Sequence, residues 1–534
     1  MKHSTTIISI LFLFITTSYS QSWQWAEHFN GSDNTICNSL SSDNNRHIYQ
    51  GGYFRGEMAI GDTIINAIGS DAFISCFDAN GELIWIHTFN GEGSQIVTSI
   101  AYHKGFIYLV GNASGASAIL RDSLPPNGVF LAKYDSLGRE IFIRYYNTSN
   151  DGGGVDLFQD IAINDKDEIY ITGTMNSDSA FYANDTLLRH GFSDALLVKC
   201  EVNGDALWAK NSKGSEYEYG SAVCADDQGV YQAGRYSSTI VFADTSITPV
   251  DGADIFIAHY NSNGDPIWIR SAGGELNEEI NDIVIDKTHK IWITGWYMGT
   301  ITFDEYNAGS WGASDIFIAR YDRDGIIETW THTGSAYSDE GNSLIVLNDN
   351  SIGLAGTFMS QIQLSYTSLQ SDGYEDGFFT RISQDFNLTD AAQIGGSGSM
   401  RINDITALDN NNIIINGYYF DEIKFGNITF DTDNPYDGFL ARYDFTTGII
   451  SQEATPSQYI TLYPNPLSDI LNIESKNDIP CDVLIYNITG NLEKEIPINK
   501  NPQSINLNFL NSGFYTAEIL FNHHKRVFKK FIKK

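Results

Sequence analysis

Seven glycines end seven similar apolar runs in this chain: Gly52, Gly111, Gly173, Gly234, Gly295, Gly356 and Gly417. The intervals between them are 59, 62, 61, 61, 61 and 61 residues. The runs include Phe106-Ile-Tyr-Leu-Val-Gly111, Ile169-Tyr-Ile-Thr-Gly173 and Ile291-Trp-Ile-Thr-Gly295. A period of this size restricts the chain to repeat architectures, in which one supersecondary unit is copied and stacked.

About twenty residues after each glycine comes a second run, clearest in Asp71-Ala-Phe-Ile-Ser-Cys-Phe-Asp78, Asp254-Ile-Phe-Ile-Ala-His-Tyr260 and Asp437-Gly-Phe-Leu-Ala-Arg-Tyr-Asp444. Its opening Asp recurs in six units, with Asn127 in the other. Such a carboxylate is suited to accept turn N–H groups. Turns such as Ala79-Asn80-Gly81 and Arg323-Asp324-Gly325 follow, and Asn-Gly and Asp-Gly are hairpin turns because both residues tolerate positive φ. A further strand then carries an aromatic: Trp85, Phe142, Trp208, Trp268 or Trp330. The sixth copy, near Ala391, lacks it. Another strand precedes each glycine run, as in Asp282-Ile-Val-Ile-Asp286. Four short strands per unit, with almost no helical periodicity, describe a propeller blade.

The ends of the array predict how it closes. The chain enters on Trp25-Ala-Glu-His-Phe-Asn-Gly31, which aligns with Trp85-Ile-His-Thr-Phe-Asn-Gly91. It therefore starts on the last strand of a blade, and the seventh unit ends with no matching Trp strand. The N-terminal strand is expected to complete the C-terminal blade, leaving no open sheet edge. The alternative gives that place to Ile449–Ala454. The expectation is an all-β chain: a seven-bladed β-propeller of four-stranded blades over 21–453, then a small C-terminal β-sandwich over 454–534. The repeat resembles the seven-bladed propeller (SBBP-like) repeat of exported bacterial proteins over about Ser22 to Glu453. That resemblance speaks for fold and not for function.

Charge separates the two parts. The 534 residues hold 32 Lys plus Arg against 66 Asp plus Glu, a net of −34. From Ser457 to Lys534 there are nine basic and seven acidic residues, a net of +2, so the remainder carries −36. A surface this acidic is expected to repel nucleic acid and anionic membranes, so no nucleic-acid partner is expected. Residues 1–20 read as a signal peptide: Lys2 and His3, an apolar run from Ile7 to Ile15, and Ser18-Tyr19-Ser20 at the cleavage site. No other segment approaches a transmembrane helix, so none is expected in the mature protein. Cys37, Cys76, Cys200, Cys224 and Cys481 are odd in number and form no CxxC pair. They read as buried thiols on strands, with some disulfide pairing open to an exported chain.

After Glu453 the repeat stops. The segment that follows carries Tyr463-Pro464-Asn465-Pro466, Val483-Leu-Ile-Tyr-Asn-Ile-Thr-Gly490, Gly513-Phe-Tyr515 and a basic end with Lys529, Lys530, Lys533 and Lys534. Short alternating strands with Gly and Pro punctuation predict a β-sandwich. In order and spacing these features resemble the type A C-terminal sorting domain of type IX secretion, found in the Bacteroidetes lineage. The resemblance implies a translocation address recognised by the type IX machinery, and delivery to the cell surface or beyond. On physical grounds alone, the Tyr-Pro pair is a rigid strand-entry turn, and the lysines are a solvated edge strand that resists pairing.

No catalytic motif is present: no HExxH, no GxSxG, no P-loop and no dinucleotide fingerprint in its strand–helix setting. No cofactor is expected. Asp322-Arg-Asp324, Asp165-Lys-Asp167 and Asp431-Thr-Asp433 place alternate carboxylates on turns that could hold calcium weakly, or that are simply solvated. Trp296, Tyr297 and Trp311 fall off the repeat and could stack on sugars or peptide side chains, or pack in the ordinary way. The sequence favours a secreted or surface-displayed binding or adhesion protein with a glycan or protein ligand. The alternative is a secreted polysaccharide hydrolase or lyase with acidic residues at the channel mouth.

Overall fold

The computed structural model describes residues 22–114, 127–147, 154–183, 185–242, 245–364, 367–409, 411–445, 460–464, 467–475, 482–487, 492–498, 500, 502–511, 513–520 and 526–534. The signal-peptide segment, residues 449–454 and Cys481 lie outside them. Two compact units form, one of them Ser22–Phe445; Thr446–Lys534 belongs to the other.

Ser22–Phe445 is a β-propeller. Among the described residues of this unit the strand pairings make seven four-stranded antiparallel sheets, three of which are joined edge to edge by short bridges at Asn30–Ala59 and Ser70–Ser94. The first comprises Thr35–Ser42, Ile48–Ile60, Thr63–Phe77 and Leu83–Phe89. The fourth comprises Glu218–Ala225, Val230–Tyr236, Asp254–Tyr260 and Pro266–Ala272. The fifth comprises Glu278–Ile285, Ile291–Tyr297, Asp315–Tyr321 and Ile327–Thr333. The first strands of successive sheets touch one another all the way round, back to Thr35–Ser42, so they form the inner wall. In five of the sheets a small hairpin also sits between the second and third strands, as at Thr300–Phe303 and Tyr306–Gly309. The four-strand reading of the repeat does not include it.

The seventh sheet runs Ser399–Ala407, Asn412–Phe420, Asp437–Asp444 and then Ser22–Gly31. Ser22 pairs with Asp444 and Phe29 with Gly438, so the N-terminal strand closes the ring. Seven apolar clusters fill the seven junctions between neighbouring sheets. The closing junction joins Phe29, Ile414 and Leu440 to Ile48, Phe54 and Phe73. Each such buried side chain contributes about 1.5–3 kcal/mol.

The repeat glycines have one cause. Each first strand carries a β-bulge, and its residue before the extra one pairs with the glycine: Cys37 with Gly52, Ile280 with Gly295, Ile402 with Gly417. The bulge pushes a carbonyl against the partner strand. A Cβ on any of the seven glycines would overlap the carbonyl oxygen of Ile36, Ile96, Leu157, Tyr219, Glu279, Glu340 or Arg401. Only a residue without a side chain fits such an approach.

The bulge residues also tie the inner wall together. Asn38 donates to the Val97 carbonyl, Thr98 to Phe158, Asn281 to Gly341, Asn342 to Ile402 and Asn403 to Cys37, each at 2.7–2.9 Å. Each bond passes from one sheet to the next, and the last crosses the closing seam. On the outer side, Trp25, Trp85, Trp208 and Trp268 donate their indole N–H to Ala79, Ser136, Ser262 and Arg323 on the adjacent sheet's turn. The turn glycine lies under the ring, so a Cβ at Gly81 would come 2.9 Å from Trp25 Cδ2.

Those turns differ from the sequence expectation. Of each Asn-Gly or Asp-Gly pair only the glycine takes positive φ, 88° at Gly81 and 73° at Gly325. An acid or Asn three residues earlier explains this. Asp322 Oδ1 accepts the N–H of Asp324 and of Ile326, at 3.0 and 2.9 Å, which holds Asp324 on the ordinary side of φ.

The C-terminal unit is a β-sandwich. One sheet holds Ile460–Tyr463, Ile470–Ser475 and Gln503–Asn506. The other holds Leu492–Pro497, Asp482–Asn487, Gly513–Leu520 and Arg526–Lys533. Leu467, Leu471, Val483, Ile485, Ile505 and Ile519 are among its core residues. No helix among the described residues is long and apolar enough to cross a membrane.

Candidate functional site

In each antiparallel sheet the first and third strands start at the same end. That end gathers the residues whose carbonyls abut the repeat glycines, so their side chains ring one mouth of the inner wall. In the first three sheets they are Ile36, Ile96 and Leu157, and in the others Tyr219, Glu279, Glu340 and Arg401. The repeat pattern therefore breaks on one side of the mouth. There Arg235 Nη1 meets Glu279 Oε2 at 3.1 Å, and Arg401 Nη1 meets Glu340 Oε2 at 2.7 Å. Burial raises Glu279 above the ordinary carboxylate range, against the pull of Arg235. Glu375 is raised by burial too, with Ser399 and Arg401 acting against it.

Aromatic side chains stand around this mouth. Phe192 stacks on Tyr217 at 5.0 Å, Tyr217 lies parallel to Tyr219, and the Arg235 guanidinium covers Tyr219 at 4.7 Å. A cavity of about 250 Å³ opens beside this stack, lined by Tyr217, Tyr219, Arg235, Ser237, Ala253 and Asn277. Phe192, Trp311, Tyr337 and Tyr374 are 57–70% exposed on the loops of this face. Of the three off-pattern aromatics, Trp311 is in this rim, stacked on His332 at 4.6 Å. Tyr297 is buried and bonded to His332, and Trp296 is half-buried.

Deeper in the wall, the position after each bulge holds Ser39, Ser99, Asp160, Ala222, Asp282, Ser343 or Asp404. Ser343 Oγ donates to both Asp282 and Asp404, and Ser39 Oγ donates to Asp404. Burial pushes Asp282 up to about 7, helped by Asp160, and Asp404 up to about 6. These carboxylates accept main-chain N–H groups and stitch the wall.

The acids that open the third strands accept loop N–H groups. Asp254 takes Val250 N, Asp315 takes Trp311 N, and Asp194 takes His190 and Gly191 N. At the acidic turns, Asp322 is held by its own turn, and Asp167 binds His103 and Lys104, each at 2.6 Å. On other loops Asp226, Asp227 and His289 converge, but the Arg323 guanidinium already bonds both aspartates there. Cys37, Cys76, Cys200 and Cys224 are free and buried.

In the C-terminal unit Tyr463 is 38% exposed and joined to Pro464 by a cis peptide. Asn465, Pro466 and Gly490 lie outside the described residues. Gly513 opens a strand, and Tyr515 donates to the Asn511 carbonyl at 2.9 Å. Lys529 and Lys530 pair by their backbones with Ala517 and Thr516. Lys533 is not solvated: it is 7% exposed and its Nζ reaches Asp469 at 2.9 Å. Lys534 N–H bonds to the Leu467 carbonyl.

The mouth residues were not singled out from the sequence. Their signal is a repeat column in which hydrophobic residues give way to Tyr219, Glu279, Glu340 and Arg401.

Comparison with known proteins gives the C-terminal unit a class. The profile of the family described as "Secretion system C-terminal sorting domain" matches residues 461–534. This is a type IX sorting domain, which engages the type IX secretion machinery and routes the chain to the cell surface or the extracellular space. Among curated proteins, the regulatory protein FlaEY of Caulobacter vibrioides is 22% identical over 235 residues, covering 40% of this chain and 23% of that one. An uncharacterized WD repeat-containing protein, L264, of Acanthamoeba polyphaga mimivirus is 20% identical over 351 residues, covering 52% and 25%. The chain thus spans about a quarter of the length of these relatives. Among solved structures, the Pan2 WD40 domain of Neurospora crassa aligns at TM-score 0.38 and 8% identity, over 77% of this chain and 90% of that one. A puromycin hydrolase aligns at 0.40 and 11%, over 75% and 55%.

Proposed function

We propose that the exported propeller is a binding or adhesion protein that takes a glycan or a peptide on its aromatic-rimmed mouth. The carrying observation is the stack Phe192–Tyr217–Tyr219–Arg235 beside a cavity of about 250 Å³. Exposed aromatic faces and a half-buried guanidinium supply contact area at low entropy cost, and they stack on sugar rings or peptide side chains alike. The flanking Arg–Glu pairs add polar groups that fix orientation.

A glycan and peptide array probed with the mature chain tests this. Tyr217→Ala with Tyr219→Ala is expected to weaken any captured ligand by about tenfold or more. Unchanged capture would remove the stack from the site. The second reading, a secreted carbohydrate-active enzyme, draws support from Glu279, a carboxyl raised by burial and paired with Arg235 of the cavity wall. Turnover on the same array, abolished by Glu279→Gln, would establish it over simple binding.

A further inference from the structure

At three junctions of the ring, the acid that opens a third strand faces a second acid that opens the next sheet. The pairs are Asp194 with Glu218, Asp254 with Glu278, and Asp315 with Asp339. All six carboxylates are at most 1% exposed. The same position in the other four sheets holds Thr35, Gln95, Met400 and, once, another acid, Asp156, so the packing alone does not require an acid there.

The three pairs are neutralised differently. Asp194 accepts two main-chain N–H groups and the Asn211 amide, and Glu218 accepts the Ser238 hydroxyl at 2.9 Å. Asp339 takes N–H groups from Ser335 and Met359 on its two oxygens. The middle pair has no such help. Glu278 has neither oxygen hydrogen-bonded and Asp254 has only one, so three buried carboxylate oxygens are bare. The Gly274 amide lies near Glu278 but outside hydrogen-bonding geometry. Gly273, in the loop between the acids, lies so close to the Asp254 carboxylate that a Cβ would overlap it. The Tyr236 hydroxyl lies within the field of both acids and bonds Ser271 Oγ at 2.6 Å.

Two buried carboxylates with bare oxygens require a proton or a cation between them. We propose that the junction of the fourth and fifth sheets binds one divalent cation, Ca²⁺ by its all-oxygen donors, between Asp254 and Glu278. Carboxylates, hydroxyls, main-chain carbonyls and water are the ligands of this hard ion. On loading, both carboxylates bind as anions: the ion exchanges part of its water shell for their oxygens, and any proton the pair shares leaves to solvent. The site is separate from the acidic turns and independent of what the rim binds. Ala253 and Asn277, which line the rim cavity, precede the two acids in sequence, so the ion would brace its floor.

Calorimetric titration of CaCl₂ into the EDTA-treated, desalted mature chain in 150 mM NaCl tests the site. At that salt, diffuse attraction to the acidic surface is screened. One saturable site per chain is expected at pH 7. Glu278→Gln and Asp254→Asn should each weaken binding at least tenfold, while Glu218→Gln leaves one site. No saturable binding, or a site that survives both substitutions, overturns the proposal. Should both variants fail to fold, thermal unfolding of the wild-type chain decides: a midpoint that excess CaCl₂ does not raise above its value in EDTA overturns the proposal.

Discussion

Trp25 and Ala79 are 54 residues apart and joined across the closing seam by a 3.0 Å bond from the indole N–H to the carbonyl. One belongs to the strand that completes the seventh sheet and the other to a turn of the first. The same bond recurs from Trp85 to Ser136 within the array, where the chain is continuous. Trp25→Ala is expected to cost about 2 kcal/mol, less than a fully buried Trp because the ring is only half-covered. Trp85→Ala should cost about the same. Denaturant midpoints measure both. Deleting Ser22–Gly31 should do more: it bares the edge of Asp437–Asp444, and size-exclusion chromatography should show self-association.

Gly295 tests the cause assigned to the 61-residue period. Its missing Cβ would overlap the Glu279 carbonyl, which is main chain and cannot rotate away. Gly295→Ala should therefore destabilise by about 3 kcal/mol despite adding only a methyl group. Gly61, with open space where a Cβ would stand, has φ +53°. Gly61→Ala should cost about 1 kcal/mol, from conformation alone.

The two substitutions separate what the sequence discloses from what it hides. The glycine period, the Trp positions and the orphan N-terminal strand are set by backbone geometry that every sheet repeats, so they are visible as periodicity. The mouth is built from residues that escape the period. Arg235 meets Glu279 across a junction, and Glu278 follows a loop whose length conceals that it faces Asp254. Chemistry in a repeat fold sits where one copy departs from the others, and the choice among departures needs the hydrogen bonds. Asp194 and Asp254 look alike in sequence, but only Asp254 faces an acid with no hydrogen-bond partner.

Glu218 makes stability depend on pH. Burial, with the charge of Asp194 adding, pushes it from 4.5 up to about 7. The folded chain then holds a proton that the unfolded chain has lost between these values. Stability from this group is complete below pH 4.5 and falls as pH rises to about 7. Glu218→Gln keeps an acceptor for Ser238 and has no proton to lose. The variant should match the wild type near pH 4 and exceed it at pH 8, by up to about 3 kcal/mol. Thermal unfolding across pH 4–8 reads the difference; a constant offset would show that the carboxyl is not the titrating group.

The last residues of the sorting domain bear on export. Leu467 is fully buried; its N–H bonds to the Ile532 carbonyl and its own carbonyl accepts from Lys534, at 2.8 and 2.9 Å. Removing Ile532–Lys534 strips both bonds and opens one side of the core, so that variant should be retained inside the cell envelope. Lys533→Met keeps the aliphatic stem buried and loses only a pair with Asp469, whose side chain is 62% exposed. Such a pair is worth at most about 1 kcal/mol. Lys533→Met should therefore be exported normally, as read by the fraction of full-length chain reaching the surface or the medium. Retention of a stable Lys533→Met chain would mean that the machinery reads the lysine charge itself, not the fold it helps to close.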